Sequence, residues 1–358
     1  LGVFEAIGTE SHEEVLFGVD HESGLRTIIA IHDTSLGPAL GGTRFYPYVD
    51  EEAALRDVLR LSKGMTLKSA AAGLDLGGGK AVIIGDPATL RSEALIRAYG
   101  RVIDSLGGRY VTAADVGTTT DDMVLIAEET SWVSGLPFSQ GGSGDPSPAT
   151  ARGVMASFRA IGERLWRSTD LAGRRVAVQG VGKVGMDLVR RLTEVGAETM
   201  VADANADSVT HAIEVYGSTG VSVDEIYDVE CDIFSPCALG ATLNKETIPR
   251  LRCVAIAGCA NNQLAVDNDI EQIVGRGILY APDFVVNAGG VINIAAETGG
   301  YSTERAGKMV DRIRDNLVTV FEAADRDGVD THDAAMRFAQ RRIDQAGGSR
   351  YRQPPIEQ

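Results

Sequence analysis

The sequence predicts an α/β protein of two domains, the second a doubly wound parallel sheet. Three features carry this reading. A chain of 358 residues holds about two domains of roughly 150 residues, each able to bury its own core. Strand-like and helix-like segments alternate along its length. The apolar run at 176–179 passes through a glycine-rich turn directly into a helical pattern.

In the first domain, residues 25–32 (LRTIIAIH) read as a strand and 37–42 (GPALGG) as a glycine-rich turn. Residues 51–61 place Ala54, Leu55, Val58 and Leu59 at helical spacing, and 81–84 form a short buried strand. Helical patterns recur at 91–106 and 121–129, so the expected sheet is mixed or parallel. The stretch SQGGSGDPSP (139–148) reads as a hinge before a helix at 150–165. The second alternation runs from the strand RVAVQ at Arg175 through a helix to about Val195 and the strand ETMVAD. Further strands are expected at 231–234, 253–257 and 278–281. The tail at 302–345 reads as two amphipathic helices parted at 325–330, and the last ten or so residues are polar and expected to fray.

Asp and Glu outnumber Lys and Arg by 50 to 34, a net charge of −16. Such a surface repels phosphate backbones and anionic lipid, so neither nucleic acid nor a membrane is an expected partner. No stretch approaches the roughly 18 apolar residues of a membrane span, and no signal peptide is legible, so a cytoplasmic location is expected. Cys231, Cys237, Cys253 and Cys259 fall at x5 spacings with no histidine between them. That suits free thiols in buried strands and not a metal site.

A GxGxxG pattern alone is weak. Here Gly180-Val181-Gly182-Lys183-Val184-Gly185 follows an apolar strand and opens a helix, the arrangement that aims a helix N-terminus at a pyrophosphate. Gly180 permits the tight turn, Gly182 lets the backbone approach the phosphates, and Gly185 lets the helix pack on the strand. Asp203 ends the next strand, where a carboxylate accepts hydrogen bonds from the adenosine ribose. With Asp207 nearby, and no Lys or Arg between Arg191 and Lys245, a 2′-phosphate lacks a counter-charge. NAD is expected over NADP.

Only six of the 34 basic residues are lysine, and three of those, Lys63, Lys68 and Lys80, lie within 18 residues. Guanidinium keeps its proton near neutral pH whereas an amine can release it. Lysine retained against such a bias points to chemistry needing a titratable or compact cation. Lys63 fits a solvated helix face. Lys80 closes LDLGGGK (74–80) and leads into an apolar strand. Partial burial and the charge of Lys68 would each favour its neutral amine, the form that acts as a base. Asp115, in YVTAADVGT (110–118), sits at a strand end where sites collect in α/β folds, and Thr118 to Thr120 are nearer caps for the next helix.

Taken together, PALGGTR (38–44), GMTLKSAAAGLDLGGGK (64–80), TAADVGT (112–118), GVGKVG, SPCALG (235–240), AGCANNQL (257–264) and YAPDFVVNAGGVIN (280–293) resemble the glutamate/leucine/phenylalanine/valine dehydrogenases. The resemblance runs from about Val15 to about Arg342 and is strongest to the leucine and valine members. It implies NAD-dependent, reversible oxidative deamination of an L-amino acid by a homo-oligomer. It also implies an N-terminal substrate and oligomerisation domain (1–145, joined by a C-terminal helix at about 330–358) and a Rossmann domain (146–329). By motif, Lys68 resembles the lysine that pairs with the substrate carboxylate, Lys80 the catalytic lysine, and Asp115 the aspartate that relays protons at the amino group. Asn262 resembles a substrate-side asparagine, Thr150 and Asn287 the residues that orient the nicotinamide carboxamide, and Ala238 a loop residue at the cofactor ribose.

Glutamate members place a lysine where this chain has Leu40, which would be needed to offset a second substrate carboxylate. Leu40, with Gly41 beside it, and Ala113, Val291 and Ile294 imply an aliphatic pocket. Phenylalanine members tend to read GPAAGG and GPDV in place of GPALGG and AADV. A branched-chain substrate (Leu, Val or Ile) is therefore expected, with an aromatic or glutamate substrate, or a non-catalytic NAD sensor, as alternatives. One methylene separates the aliphatic candidates by only about 1 to 3 kcal/mol.

Overall fold

The structure, a computed structural model, describes residues 3–9, 11–347 and 351. Two units divide them. One comprises the chain up to Asp145, Ile294–Tyr301 and the residues from Ala339; the other comprises Pro146–Asn293 and Ser302–Phe338.

In the first unit, α1 (Val3–Thr9) precedes strands β1 (Glu14–Asp20), β2 (Leu25–Asp33) and β3 (Ala39–Tyr46). Helix α2 (Glu51–Ala71) leads to β4 (Gly77–Ile84); α3 (Pro87–Leu90) and α4 (Glu93–Asp104) lead to β5 (Tyr110–Ala114), and α5 (Thr120–Ala127) follows. The sheet order is β1-β2-β4-β3-β5. It is mixed: β2 runs antiparallel to β1 and β4, whereas β3 runs parallel to β4 and β5. Asp50 caps α2 by accepting from the Ala53 amide, with Glu51 and Glu52 on the favourable first turn. The helix continues well past residue 61 because small buried residues (Ser62, Thr66, Ser69, Ala70) let it lie against the sheet. Ala54, Val58 and Leu59 pack there on Ile28, Ala30 and Val82. Residues of α4 and α5, among them Tyr99, Ile103 and Ile126, cover the other face.

The segment GPALGG, expected as a turn, is largely strand. β3 begins at Ala39 and passes between β4 and β5. Its glycines serve close packing: a Cβ on Gly41 would lie 1.8 Å from the Gly79 carbonyl oxygen. The turn that matters comes after β5. Thr118 Oγ1 accepts from the Asp115 amide and donates to the Thr43 carbonyl, while Gly117 sits at φ +80°.

The second unit opens with α6 (Ser147–Trp166) and β6 (Arg175–Gln179), followed by α7 (Lys183–Glu194), β7 (Glu198–Ala202), α8 (Ala206–Tyr216) and β8 (Thr219–Gly220). After β9 (Ile233–Pro236) and β10 (Ala255–Ile256) come α9 (Asp269–Gly275), β11 (Leu279–Tyr280), α10 (Asp283–Val286), α11 (Gly289–Ala295), α12 (Thr303–Asp327) and α13 (Thr331–Gln345), the end of α11 and the part of α13 from Ala339 being counted with the first unit. The six strands are parallel in the order β11-β10-β9-β6-β7-β8. The chain winds outward from β6 to β8, then crosses over and winds outward again from β9. The expected doubly wound sheet therefore has its switch point between β6 and β9. Helices α6 and α12 are cross-linked by Arg152–Asp311 at 2.6 Å and Arg164–Asp325 at 2.7 Å.

The four cysteines are free but flank strands, where strand positions were expected. Buried Cys231 and Cys253 precede β9 and β10, and half-buried Cys237 and Cys259 follow them. Of the last residues, expected to fray, only Tyr351 is among those described beyond 347, and its amide donates to Thr34 Oγ1.

A Cβ on Gly117 would meet the Phe45 carbonyl oxygen at 1.9 Å, in a backbone conformation that other residues rarely adopt. Gly117→Ala should therefore cost about 1 to 3 kcal/mol and lower the Tm in calorimetry. An unchanged Tm would show that the turn relaxes without strain.

Candidate functional site

Side chains alternate along a strand, so register decides which residues share a face. Across β4, β3 and β5, Gly78, Leu40 and Val111 form one row; two residues on, Lys80, Gly42 and Ala113 form the next. Rows two residues apart are separated by about 7 Å. Arg44 and Asp115 come next on this face, where a Cβ on Gly42 would lie only 2.8 Å from that of Asp115. Gly42 and Ala113 thus leave space around two charged groups. Helix α2 covers the β2 and β4 side of the face, and no residue of β3 or β5 belongs to its apolar cluster among the described residues. A Cβ on Gly78 would lie 2.1 Å from the Thr66 amide, so the last turn of α2, which carries half-buried Lys68, lies close against the start of β4.

Lys80 is 7% exposed, and its Nζ lies 2.6 Å from Asp115 Oδ2. The neighbour that the sequence offers Lys80 is another cation, Lys68. The structure adds a carboxylate in contact, and the two form an ion pair. Burial by itself would raise the Asp115 carboxyl; the charge and hydrogen bond of Lys80, then the charge of Arg44, outweigh it and hold the group below its ordinary value. Arg44 Nε stands 3.6 Å from the same Oδ2. Asp115 does not cap α5: Thr119 does, in a reciprocal box with Asp122.

A cavity of about 440 Å³ opens within this unit, lined by Leu40, Val111, Val133, Leu136 and Ile294 among others. Leu40 and Ile294 thus come together as expected. Gly41 and Ala113 do not line it: Gly41 has the opposite strand parity and its carbonyl accepts from Tyr110 Oη, while Ala113 lies in the row of Lys80. Val291 is one turn before Ile294 on α11, in the second unit. The sequence does not single out Glu297, which fastens the wall. Its Oε1 accepts from the Ser143 amide at 2.7 Å and the Gly135 amide at 3.0 Å. Arg44 was within reach of a sequence reading, since it closes PALGGTR beside Leu40.

In the second unit the glycine loop joins β6 to α7. Gly180, at φ +97°, approaches the Ala238 backbone, where a Cβ would meet the amide nitrogen at 2.7 Å; a Cβ on Gly185 would meet the Gly180 carbonyl at 2.0 Å. Around Gly182, by contrast, no atom stands within 4 Å of where a Cβ would be. Gly182 is the N-cap of α7 with no side-chain capping bond, so Lys183, Val184 and Gly185 form a first turn open to an anion. Asp203 lies beside the loop, its Oδ2 accepting from the Val181 amide at 2.7 Å. Arg190 and Arg191 are tied to Asp187 on α7.

Thr150 on α6 sits against α11, where a Cβ on Gly290 would lie 3.0 Å from its Oγ1. Asn287, 7% exposed, donates to Asn261 Oδ1 at 3.0 Å, while its own Oδ1 is buried without a protein partner. Asn262 is exposed at φ +51°, its carbonyl accepting from the Ala241 amide. The open cradle at Gly182, the carboxylate at Asp203 and the orphan amide oxygen of Asn287 fit a dinucleotide with a carboxamide at one end.

The lowered Asp115 carboxyl has a consequence for stability. Its contribution is complete above the ordinary value near 3.8 and is lost as pH falls toward the lower native one. Asp115→Asn, which leaves Lys80 buried without its partner, should cost on the order of 2 kcal/mol at pH 7. In thermal melts the gap to the wild type should close below about pH 4; a gap independent of pH would contradict the ion pair.

Comparison with known proteins agrees with this geometry. Residues 10–132 match the family model for the Glu/Leu/Phe/Val dehydrogenase dimerisation domain, and 141–211 and 202–350 match that for Glutamate/Leucine/Phenylalanine/Valine dehydrogenase. The leucine dehydrogenase of Bacillus cereus is 53% identical over 350 residues, 98% of this chain and 96% of that one. That of Geobacillus stearothermophilus is 53% identical over 342 residues, 96% and 93%. The crystal structure of L-tryptophan dehydrogenase from Nostoc punctiforme superposes with a TM-score of 0.85 at 45% identity, covering 96% of this chain and 99% of that one. With both halves matched and more than half of the residues shared with such relatives over nearly the full length, this chain belongs to the Glu/Leu/Phe/Val dehydrogenase family.

Proposed function

We propose that the protein catalyses the reversible, NAD-dependent oxidative deamination of a branched-chain L-amino acid (Leu, Val or Ile) to the 2-oxo acid and ammonia. The observation that carries this is the Lys80–Asp115 pair, 2.6 Å apart on a sheet face whose neighbouring row, at Leu40 and Val111, lines an apolar cavity. A substrate lying along β3 would place its reacting carbon at the ion pair and its side chain in the cavity. The first unit is then the substrate and oligomerisation domain and the second the NAD domain.

When bound, the nicotinamide ring accepts the hydride that leaves Cα. Thr150 and Asn287 would hold its carboxamide, Ala238 and Asp203 the riboses, and the 180–185 loop the pyrophosphate. The lack of any Lys or Arg between Arg191 and Lys245 in the sequence, around Asp203, favours NAD over NADP. By the family resemblance, Lys68 holds the substrate carboxylate and Asn262 is a substrate-side residue. Once Lys80 has released its proton, its Nζ takes one from the water that attacks the iminium carbon. Asp115, having first taken a proton from the substrate ammonium, returns it to nitrogen; as the carbinolamine collapses, its hydroxyl proton passes to the freed Asp115 carboxylate and ammonia leaves.

A homo-oligomer in the cytoplasm belongs to the same reading, supported by the dimerisation-domain match and by free thiols that suit a reducing compartment. An aromatic substrate is the second reading, favoured by the 440 Å³ of the cavity and the fit to the Nostoc enzyme.

The test is NADH formation at alkaline pH with L-valine, L-leucine, L-isoleucine, L-phenylalanine and L-glutamate, each with NAD and with NADP. Turnover should be confined to the branched-chain set with NAD. Faster turnover of phenylalanine would install the aromatic reading, and silence on all five with NAD still bound would leave a sensor. In the same assay Lys80→Ala should lose at least about a thousandfold in kcat while binding NAD as before; retained turnover would remove Lys80 from the chemistry.

A further inference from the structure

A base that rests as an ammonium paired with a buried carboxylate poses an electrostatic problem. To act, Lys80 must give up its proton, and Asp115 would then be an unpaired anion out of water, which is costly. The structure supplies a second cation. Arg44 Nε, on β3, is 3.6 Å from Asp115 Oδ2, the oxygen that Lys80 on β4 also contacts. Its guanidinium is not a mobile surface charge: NH1 donates to Asp57 Oδ2 at 2.8 Å, which also accepts from Tyr48 Oη at 2.6 Å, while Asp57 Oδ1 accepts from Arg60 at 3.1 Å. The side chains of Arg44 and Asp57 are 24% and 15% exposed, so solvent screens them little. Arg44 Nε is buried with no aligned hydrogen-bond partner, whereas Asp115 Oδ2 has Lys80 Nζ at 2.6 Å. At 3.6 Å Arg44 acts on Asp115 as a charge, not as a hydrogen-bond donor.

We infer that Arg44 is a positioning residue for the deamination proposed above: anchored by Asp57, it offsets the charge of the Asp115 carboxylate in the free enzyme whether or not Lys80 carries its proton. The charges alternate through one chain of contacts, from Lys80 on β4 to Asp115 after β5, Arg44 on β3, Asp57 on α2 and Arg60 on α2, with Tyr48 beside Asp57 and Lys68 on the last turn of α2 near β4. Burial would raise the Asp115 carboxyl, and Arg44 is one of the charges opposing that rise. The inference rests on the function proposed above and adds to it a residue that never touches substrate.

The sign of its effect follows. Without Arg44, losing the Lys80 proton strands the carboxylate, and Lys80 also loses a nearby like charge; both make the proton harder to remove. The acid limb of the kcat/KM profile for amino-acid oxidation, which reports the free base, should shift to alkaline pH by on the order of one unit in Arg44→Gln. In Arg44→Lys, which keeps the charge but not the fork, the limb should return to the wild-type midpoint even where kcat falls. Equal losses of kcat in both variants with unmoved midpoints would mean a merely structural residue and overturn the inference. Should Arg44→Gln fail to fold, Asp57→Asn provides the reciprocal test. Removing that negative charge leaves Arg44 uncompensated and should move the limb to acid pH, and an unmoved limb would again overturn it. Wild-type protein without turnover would bring down the proposed function and this inference with it, whereas normal wild-type turnover with unmoved limbs in the variants brings down the inference alone.

Discussion

Everything in the first unit is arranged around one expensive feature, a lysine and an aspartate kept together almost out of water. A buried ion pair repays the loss of hydration only when its geometry is fixed. Here the fixing is done by strands. Lys80 is held from below by pairing of β4 with both β2 and β3, and Asp115 by a turn whose amide and hydroxyl bonds reach back to Thr43 on β3. The glycines between them are the condition for this. Side chains at Gly42, Gly78 or Gly117 would collide with Asp115, with α2 or with β3. Glycine is enriched here because backbones must approach one another closely around two charges.

The second unit meets the opposite requirement. Its glycine loop is filled at Gly180 and Gly185, where protein packs on protein, and left open at Gly182. Side-chain capping of α7 would satisfy the same amides that an anion needs, and none is present. The switch point between β6 and β9 places the loop and Ala238 side by side, which brings together two motifs more than fifty residues apart in sequence.

Much of this was legible in the chain because the chemistry uses residues that are rare or conspicuous. Three clustered lysines, a GxGxxG between strand and helix, and an aspartate at a strand end can be found without coordinates. The short strands at 255–256 and 279–280 were legible too, as apolar runs. What escaped shares a cause. GPALGG read as a turn since glycine is common in turns, and nothing local reveals that Gly79 presses on Gly41. Lys80 was judged against Lys68 because both lie in one segment, whereas Asp115, thirty-five residues on, is the group in contact. Arg44, Asp57 and Glu297 are unremarkable charges until register or a long-range fold brings each to its partner.

That division has a functional logic. The proposed proton chemistry sits on β3 and β4, strands paired on both sides, and on the turn after β5 at the sheet edge, while the cavity wall is made of the 131–144 segment and the 294–298 stretch returning from far along the chain. Glu297 fastens these two parts to each other by accepting the amides of Gly135 and Ser143. Bonds to backbone amides hold the wall in place without prescribing which side chains it carries. Residues such as Leu136 and Ile294 can then change size with no disturbance to the ion pair one sheet row away. A family whose members are named for leucine, valine, phenylalanine and tryptophan is what such a construction permits.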